Sequence, residues 1–242
     1  MKRNFKLGLL LISVAFISCD KKDDSTSLTS SISSDGVISG TIVNYASSSI
    51  DSIKLEGHLA KSTLDRSAVS TAGKFSVTLS APTLKKLGRG PKGVTVSDTT
   101  ALVANLEQFY TYKNELRTGQ IGKCNYTTDS VQTAGMSRSI FLYADRPTTI
   151  KGVEDESPIY GLSVDDSEIL TYDVKLNKGW NELVTKIDVY SKTATSLTIK
   201  MTLTNTLTSD LQWRYFKSSS YYSVISKTKG QLGLKPIGFL FR

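Results

Sequence analysis

From Gly36 onward, apolar and polar residues alternate with a period of two. "KFSVTL" sets Phe75, Val77 and Leu79 against Ser76 and Thr78. "YDVKL" repeats the pattern with Tyr172, Val174 and Leu176, and "LTIKMTL" with Leu197, Ile199, Met201 and Leu203. Side chains on a strand point to alternate faces, so each run predicts a strand with one buried face. Thr, Val, Ile and Tyr are abundant, and turn signals such as "TAGK" and "NKG" recur between the runs. The expected fold is all-β, with one or two antiparallel β-sandwich units. Two segments compete with this reading. "SDTTALVANLEQF" places Leu102, Leu106 and Phe109 at helical spacing after a capping Ser97 or Asp98, but its all-β surroundings favour a strand. "TLKKLG" has the composition of a single helical turn.

Pro82, Pro91 and the glycines at 88, 90 and 93 mark the best boundary in this pattern. It divides a small β-sandwich-like unit over 36–81 from a second one over 94–242. Before both lies a polar stretch, "CDKKDDSTSLTSSISSD", with too little apolar surface to offset the entropy of ordering it. Residues 19–35 are therefore expected to be a disordered tether, spanning about 20 to 25 Å as a flexible coil.

Residues 1–18 read as a signal peptide. Lys2, Arg3 and Lys6 precede the apolar run Leu7 to Ile17, which is too short to span a bilayer as a mature helix. The run ends in Phe16-Ile17-Ser18-Cys19, a small residue followed by cysteine. This resembles the lipobox of bacterial lipoproteins, with Phe16 in place of the usual leucine. The resemblance implies cleavage before Cys19, lipidation of its thiol and a membrane partnership through that lipid. "DKKDD" resembles the charged export tags of surface-displayed Bacteroidetes lipoproteins and reads equally well as a solubilising linker. The implied location is the outer membrane, on its periplasmic or its outer face.

Processing changes the remaining arithmetic. The chain has 30 Lys and Arg against 22 Asp and Glu. Loss of Lys2, Arg3 and Lys6 leaves 27 against 22, a mild +5. The basic residues after Asp210 are scattered among Ser, Tyr and Gly without a nucleic-acid motif, so no nucleic-acid partner is expected. With Cys19 acylated, Cys124 has no partner for a disulfide and is expected to be a small packing residue.

Catalytic chemistry finds little support. His58 is the only histidine, without a G-x-S-x-G motif or an identifiable partner. One histidine and one free cysteine cannot supply a typical zinc site. "VEDES" (Glu154, Asp155, Glu156) and "VDDSE" (Asp165, Asp166, Glu168) lack the spacing of a calcium loop and read as solvated loops. The expectation is a non-enzyme with no cofactor and no metal. Trp180 in "KGWNE", Trp213 in "LQWRYF" and the pair Tyr221 and Tyr222 are the candidates for stacking on sugar rings. Alternation in a strand argues that Trp213 fills core, and Trp180, at a turn, is expected to do the same. Asp followed by Ser or Thr at Ser25, Ser52, Thr99 and Ser130 resembles the Bacteroidetes O-glycosylation sequon, and ordinary turn chemistry explains it as well.

"GVISGTIVNY", "IDSIKLEG" and "GKFSVTLSAPT" are similar to carboxypeptidase-regulatory or transthyretin-like modules. "RTGQIGK", "SIFLYADRPTTIKG" and "YDVKLNKGWNELV" resemble a segment of uncharacterised Bacteroidetes lipoproteins, which carries no known activity. Two functions remain. One is a non-catalytic envelope lipoprotein acting as a structural or interaction module with other envelope proteins. The other is a glycan-binding surface lipoprotein of an uptake or adhesion system.

Overall fold

A computed structural model describes residues 30–33, 35–57, 60–79, 82–106, 108–127, 132–155 and 166–217. Fifteen strands and no helix occur among them: β1 (Val37–Thr41), β2 (Ser52–Gly57), β3 (Ala60–Ala68), β4 (Lys74–Thr78), β5 (Lys85–Lys86), β6 (Val94–Val96), β7 (Leu102–Leu106), β8 (Gln108–Lys113), β9 (Leu116–Cys124), β10 (Ser137–Ala144), β11 (Thr148–Asp155), β12 (Ser167–Leu176), β13 (Gly179–Lys192), β14 (Leu197–Thr204) and β15 (Gln212–Lys217). The protein is all-β. Its pairings are antiparallel apart from β12 with β14 and an isolated bridge between Ile42 and Trp213.

The larger sheet contains the pairing path β5, β7, β10, β13, β14, β12, β11, β6. Its two end strands are joined by residues 87–93 alone. In a flat sheet they would lie about 34 Å apart, at roughly 4.8 Å per strand, whereas the linking chain spans at most about 29 Å when fully extended. The sheet must therefore curve, which brings its end strands closer than a flat sheet would allow. Leu142, Ile150, Val174, Leu183, Ile199 and Leu203 fill the inside of that curve, all essentially inaccessible.

A second core lies between the β1–β4 pair and the strands β2, β8, β9 and β15. Ile38, Phe75 and Val77 meet Ile53, Leu55, Phe109, Ile121 and Trp213 there. Phe141 of β10 and Leu106 of β7 join the same core, while Leu142 and Val103, their neighbours on those strands, face the first. Alternation thus puts one face of β10 in each core. The division of apolar packing consequently does not follow the expected boundary at 82–93, because strands of 36–81 complete their core with residues of 94–242.

Three local expectations meet a specific outcome. "ALVANLEQF" is strand, and its helix-like spacing comes from the break between β7 and β8 that brings Leu106 and Phe109 into one core. "TLKKLG" is not a helical turn: Lys85 and Lys86 pair with Val103 and Leu102 and put Leu87 into the first core. The expected tether also ends earlier than residue 35. Ile32 is buried and bridges Ile38, and the Ser39 amide donates to the Ser31 carbonyl, so the chain is part of the fold from Ser30.

Candidate functional site

The most constructed polar site lies on β10 and β13, on the face turned toward the second core. Phe141 stands opposite Glu182 and Tyr143 opposite Trp180, so all four side chains share that face. Glu182 has a side chain only 1% exposed. Its Oε1 accepts from Lys123 Nζ at 2.7 Å and from Ser139 Oγ at 2.6 Å. Its Oε2 accepts from the Ser31 amide at 2.6 Å and from the Ser30 and Ser31 hydroxyls at 3.0 Å each. Burial alone would push the Glu182 carboxyl up. The hydrogen bond from Lys123, then that from Ser139, the Lys123 charge and the Ser31 amide outweigh it, and hold the group below the usual glutamate value of 4.5.

That carboxylate is ionised, buried and supplied with donors on both oxygens. A general base or nucleophile needs a free lone pair facing substrate, which this arrangement denies. The geometry is that of a clamp: one oxygen is bound to the body of the fold, and the other to the segment at Ser30 and Ser31.

Trp180 sits two residues before Glu182 on the same strand face. Its ring meets Tyr143 edge-on, with centroids 5.5 Å apart, and the indole is partly buried against the second core. Gly36, at φ +76°, passes over the indole, and a Cβ there would lie 3.1 Å from Cδ1. Trp180 is therefore neither an open platform nor a fully buried plug. Trp213 is 5% exposed, packed among Phe75, Phe109 and Phe141, and offers no ring face to a ligand.

Among the described residues, the remaining sequence candidates do not assemble into a site. Cys124 is buried, and its thiol points to the Tyr126 carbonyl at 3.4 Å. Glu154 accepts from the Tyr172 hydroxyl at 2.7 Å. Asp166 is buried and accepts from the Leu197 amide at 2.6 Å, and Glu168 is buried as well, so these two are not the solvated loop residues expected. Among the described residues no group of three or more His, Cys, Asp or Glu is arranged to hold a metal ion. Ser52 is buried and donates to Asp51, which leaves it inaccessible to a glycosyltransferase. Cys19, Ser25, His58, Ser130, Glu156, Asp165, Tyr221 and Tyr222 lie outside the described residues. No protein-family model, curated protein or solved structure matches the chain.

Sequence reasoning passed over Glu182 and Lys123. The signal for Glu182 was its place between Trp180 and Val184 in an alternating strand, where the pattern calls for an apolar residue. Nothing local identifies Lys123 as its partner.

The clamp makes the effect of shortening the N-terminal segment depend sharply on where the cut falls. Deleting Asp20–Thr29 removes mostly polar residues, and the unfolding midpoint should stay essentially unchanged. Extending the deletion through Ser33 removes the Ile32 side chain and three donors to Glu182, with an expected loss of about 2 to 4 kcal/mol. Denaturant unfolding of the two deletions beside the full chain checks this; equal midpoints would show that the segment contributes nothing.

Proposed function

We propose that this chain is a bacterial envelope lipoprotein, anchored in the outer membrane through lipidated Cys19, that serves as a non-catalytic structural or interaction module. The signal-like N-terminus and the small residue before Cys19 support the anchor. The observation that most favours a mechanical rather than a chemical role is the Glu182 clamp. It fixes the fold at Ser30, and the ten residues Asp20–Thr29 separate that point from Cys19; ten residues of flexible coil would reach about 16 to 19 Å. The folded body would be held close to the membrane, with its central sheet bonded to the start of the fold.

Cys19→Ala tests the anchor directly. Two or three acyl chains contribute about 0.8 kcal/mol per buried CH₂, enough for stable retention, and a mild net positive charge cannot replace them. The variant should move from the outer-membrane fraction to the soluble fraction and lose incorporation of labelled palmitate. Retention in washed membranes at high salt would refute the assignment.

A second reading, glycan binding, is favoured by one observation: the partly exposed indole of Trp180 shares a sheet face with a carboxylate. Aromatic rings beside hydrogen-bonding groups suit the apolar faces and hydroxyl edges of sugars.

A further inference from the structure

The segment that covers Glu182 and the one that covers Trp180 belong to the same stretch of chain. Ser30 and Ser31 donate to Glu182 Oε2, and Gly36 lies over the Trp180 indole. Between them the backbone closes on itself: Ser33 and Val37 pair through the Ser33 amide, and Ser39 donates to Ser31. The part of this cover over Glu182 is separable from the rest, whereas Gly36 stays with the body of the fold through the Leu79 amide, which donates to its carbonyl at 2.9 Å. The only buried apolar side chain of the separable part is Ile32 among the described residues, while β1 is held independently by its full register with β4 and by Ile38. Glu182 is divided in the same way. If Ser30 and Ser31 leave, Oε1 keeps Lys123 and Ser139, so the buried charge is never left unpaired.

Release would uncover one carboxylate oxygen that has just lost three donors, next to the indole of Trp180 and the edge-on Tyr143 ring. The vacated donors are two adjacent hydroxyls and an amide. A ligand that replaces them must present neighbouring hydroxyl donors and, a short distance away, an apolar face for the indole. A pyranose ring has both. We propose that residues 30–33 form a releasable latch over Glu182, beside the partly exposed indole of Trp180, and that the opened carboxylate–indole site binds a saccharide. The proposal rests on the glycan reading and is independent of the Cys19 anchor.

The test uses the full chain in detergent, as wild type and as the double variant Ser30→Ala with Ser31→Ala. Hydrogen exchange is read at the amides of residues 31 and 39, which report the latch, and at the paired amides of β10 and β13, which report the sheet. Loss of hydrogen bonds to a charged acceptor should speed latch exchange on the order of tenfold for each hydroxyl, with sheet exchange unchanged. In native gels cast with laminarin, mannan or xylan, the double variant should be retarded by at least one polysaccharide more than wild type. Adding Trp180→Ala should abolish that retardation. Latch amides that exchange only together with the sheet would overturn the latch. An opened latch without retardation in any of the three gels, or retardation that survives Trp180→Ala, would overturn the saccharide site; membrane release of Cys19→Ala bears on neither.

Discussion

Trp213→Ala lowers the unfolding free energy by about 3 to 5 kcal/mol, the range for deleting a buried tryptophan from a core that cannot collapse onto the vacancy. The environment argues for the upper part of that range. The indole stacks parallel to Phe141 with centroids 6.0 Å apart, and meets Phe75 and Phe109 edge-on at 5.0 and 5.1 Å. Those three rings come from β10, β4 and β8, so the tryptophan joins elements that are distant in the chain. Its backbone carries a further connection: the Val43 amide donates to the Trp213 carbonyl, and the Asn44 side chain bonds both the amide and the carbonyl of Tyr215. These contacts close the open edge of β15. For a domain of this size the expected shift is roughly 10 °C in Tm. Gly40 supplies an independent check from the other side, because a methyl group on it would collide with the indole five-membered ring. Gly40→Ala should therefore be destabilising in wild type and much less so in Trp213→Ala, where the vacancy accepts the methyl. Thermal unfolding of the two single variants and the double settles the point: additive losses would mean that the indole is not what Gly40 makes room for.

The strand periodicity was a sound guide because it reports burial directly. Leu197, Ile199, Met201 and Leu203 alternate in the sequence and are all buried, and Tyr172, Val174 and Leu176 behave in the same way. The spacing is ambiguous at 102–109, where two cores take residues from one short stretch and their sum mimics a helix. What alternation cannot reveal is which elements cover the second face of a strand. β10 is buried on both sides, yet its sequence, "SRSIFLYA", looks like many one-sided strands. The domain boundary inferred from Pro and Gly at 82–93 fails to separate the cores for that reason, since Phe141 and Trp213 complete a core begun by Ile38 and Phe75.

The candidate site was legible only in part. Trp180 was visible as an aromatic residue at a turn, but its partner Gly36 belongs to the start of the fold and its partner Tyr143 to another strand. Ile32 was the missed signal in the tether. A lone apolar residue in "SSISSD" looks incidental, although placed next to Ser30 and Ser31 it is the one side chain that can fasten the segment to a core. Glu182 and Lys123 are 59 residues apart, and a sequence holding 30 basic residues offers no way to choose that one. Ion pairing is set by the sheet order that brings β9 beside β10, not by local composition.

Lys123→Met costs about 3 to 5 kcal/mol at neutral pH, because it removes the cation and leaves a nearly inaccessible carboxylate ionised. The size of this loss should depend on pH with a definite sign. In wild type, Glu182 has a folded-state value below 4.5, so its contribution to stability is fully present above 4.5 and is lost as pH falls through the depressed value. Protonated Glu182 does not need the ammonium group. The stability difference between wild type and Lys123→Met should therefore be largest above pH 4.5 and narrow on acidification, whereas a simple packing defect at Lys123 would give a constant difference. Asp51, Asp98, Glu115, Asp145 and Asp210 are also held below their ordinary values, so the acid sensitivity of wild type alone cannot identify the group. Adding Glu182→Gln isolates it. The amide keeps one acceptor, for the Ser31 amide on the Oε2 side, and turns its NH2 toward the Ser139 hydroxyl, which can accept; it carries no charge, so the double variant should recover part of the loss at pH 7, with a coupling of about 1 to 3 kcal/mol, and should show no narrowing at low pH. Urea unfolding of the four proteins at pH 7 and at pH 3.5 provides the comparison. Strict additivity at both pH values would mean that Lys123 stabilises the fold by its aliphatic stem and that Glu182 is held by its hydroxyl and amide donors alone.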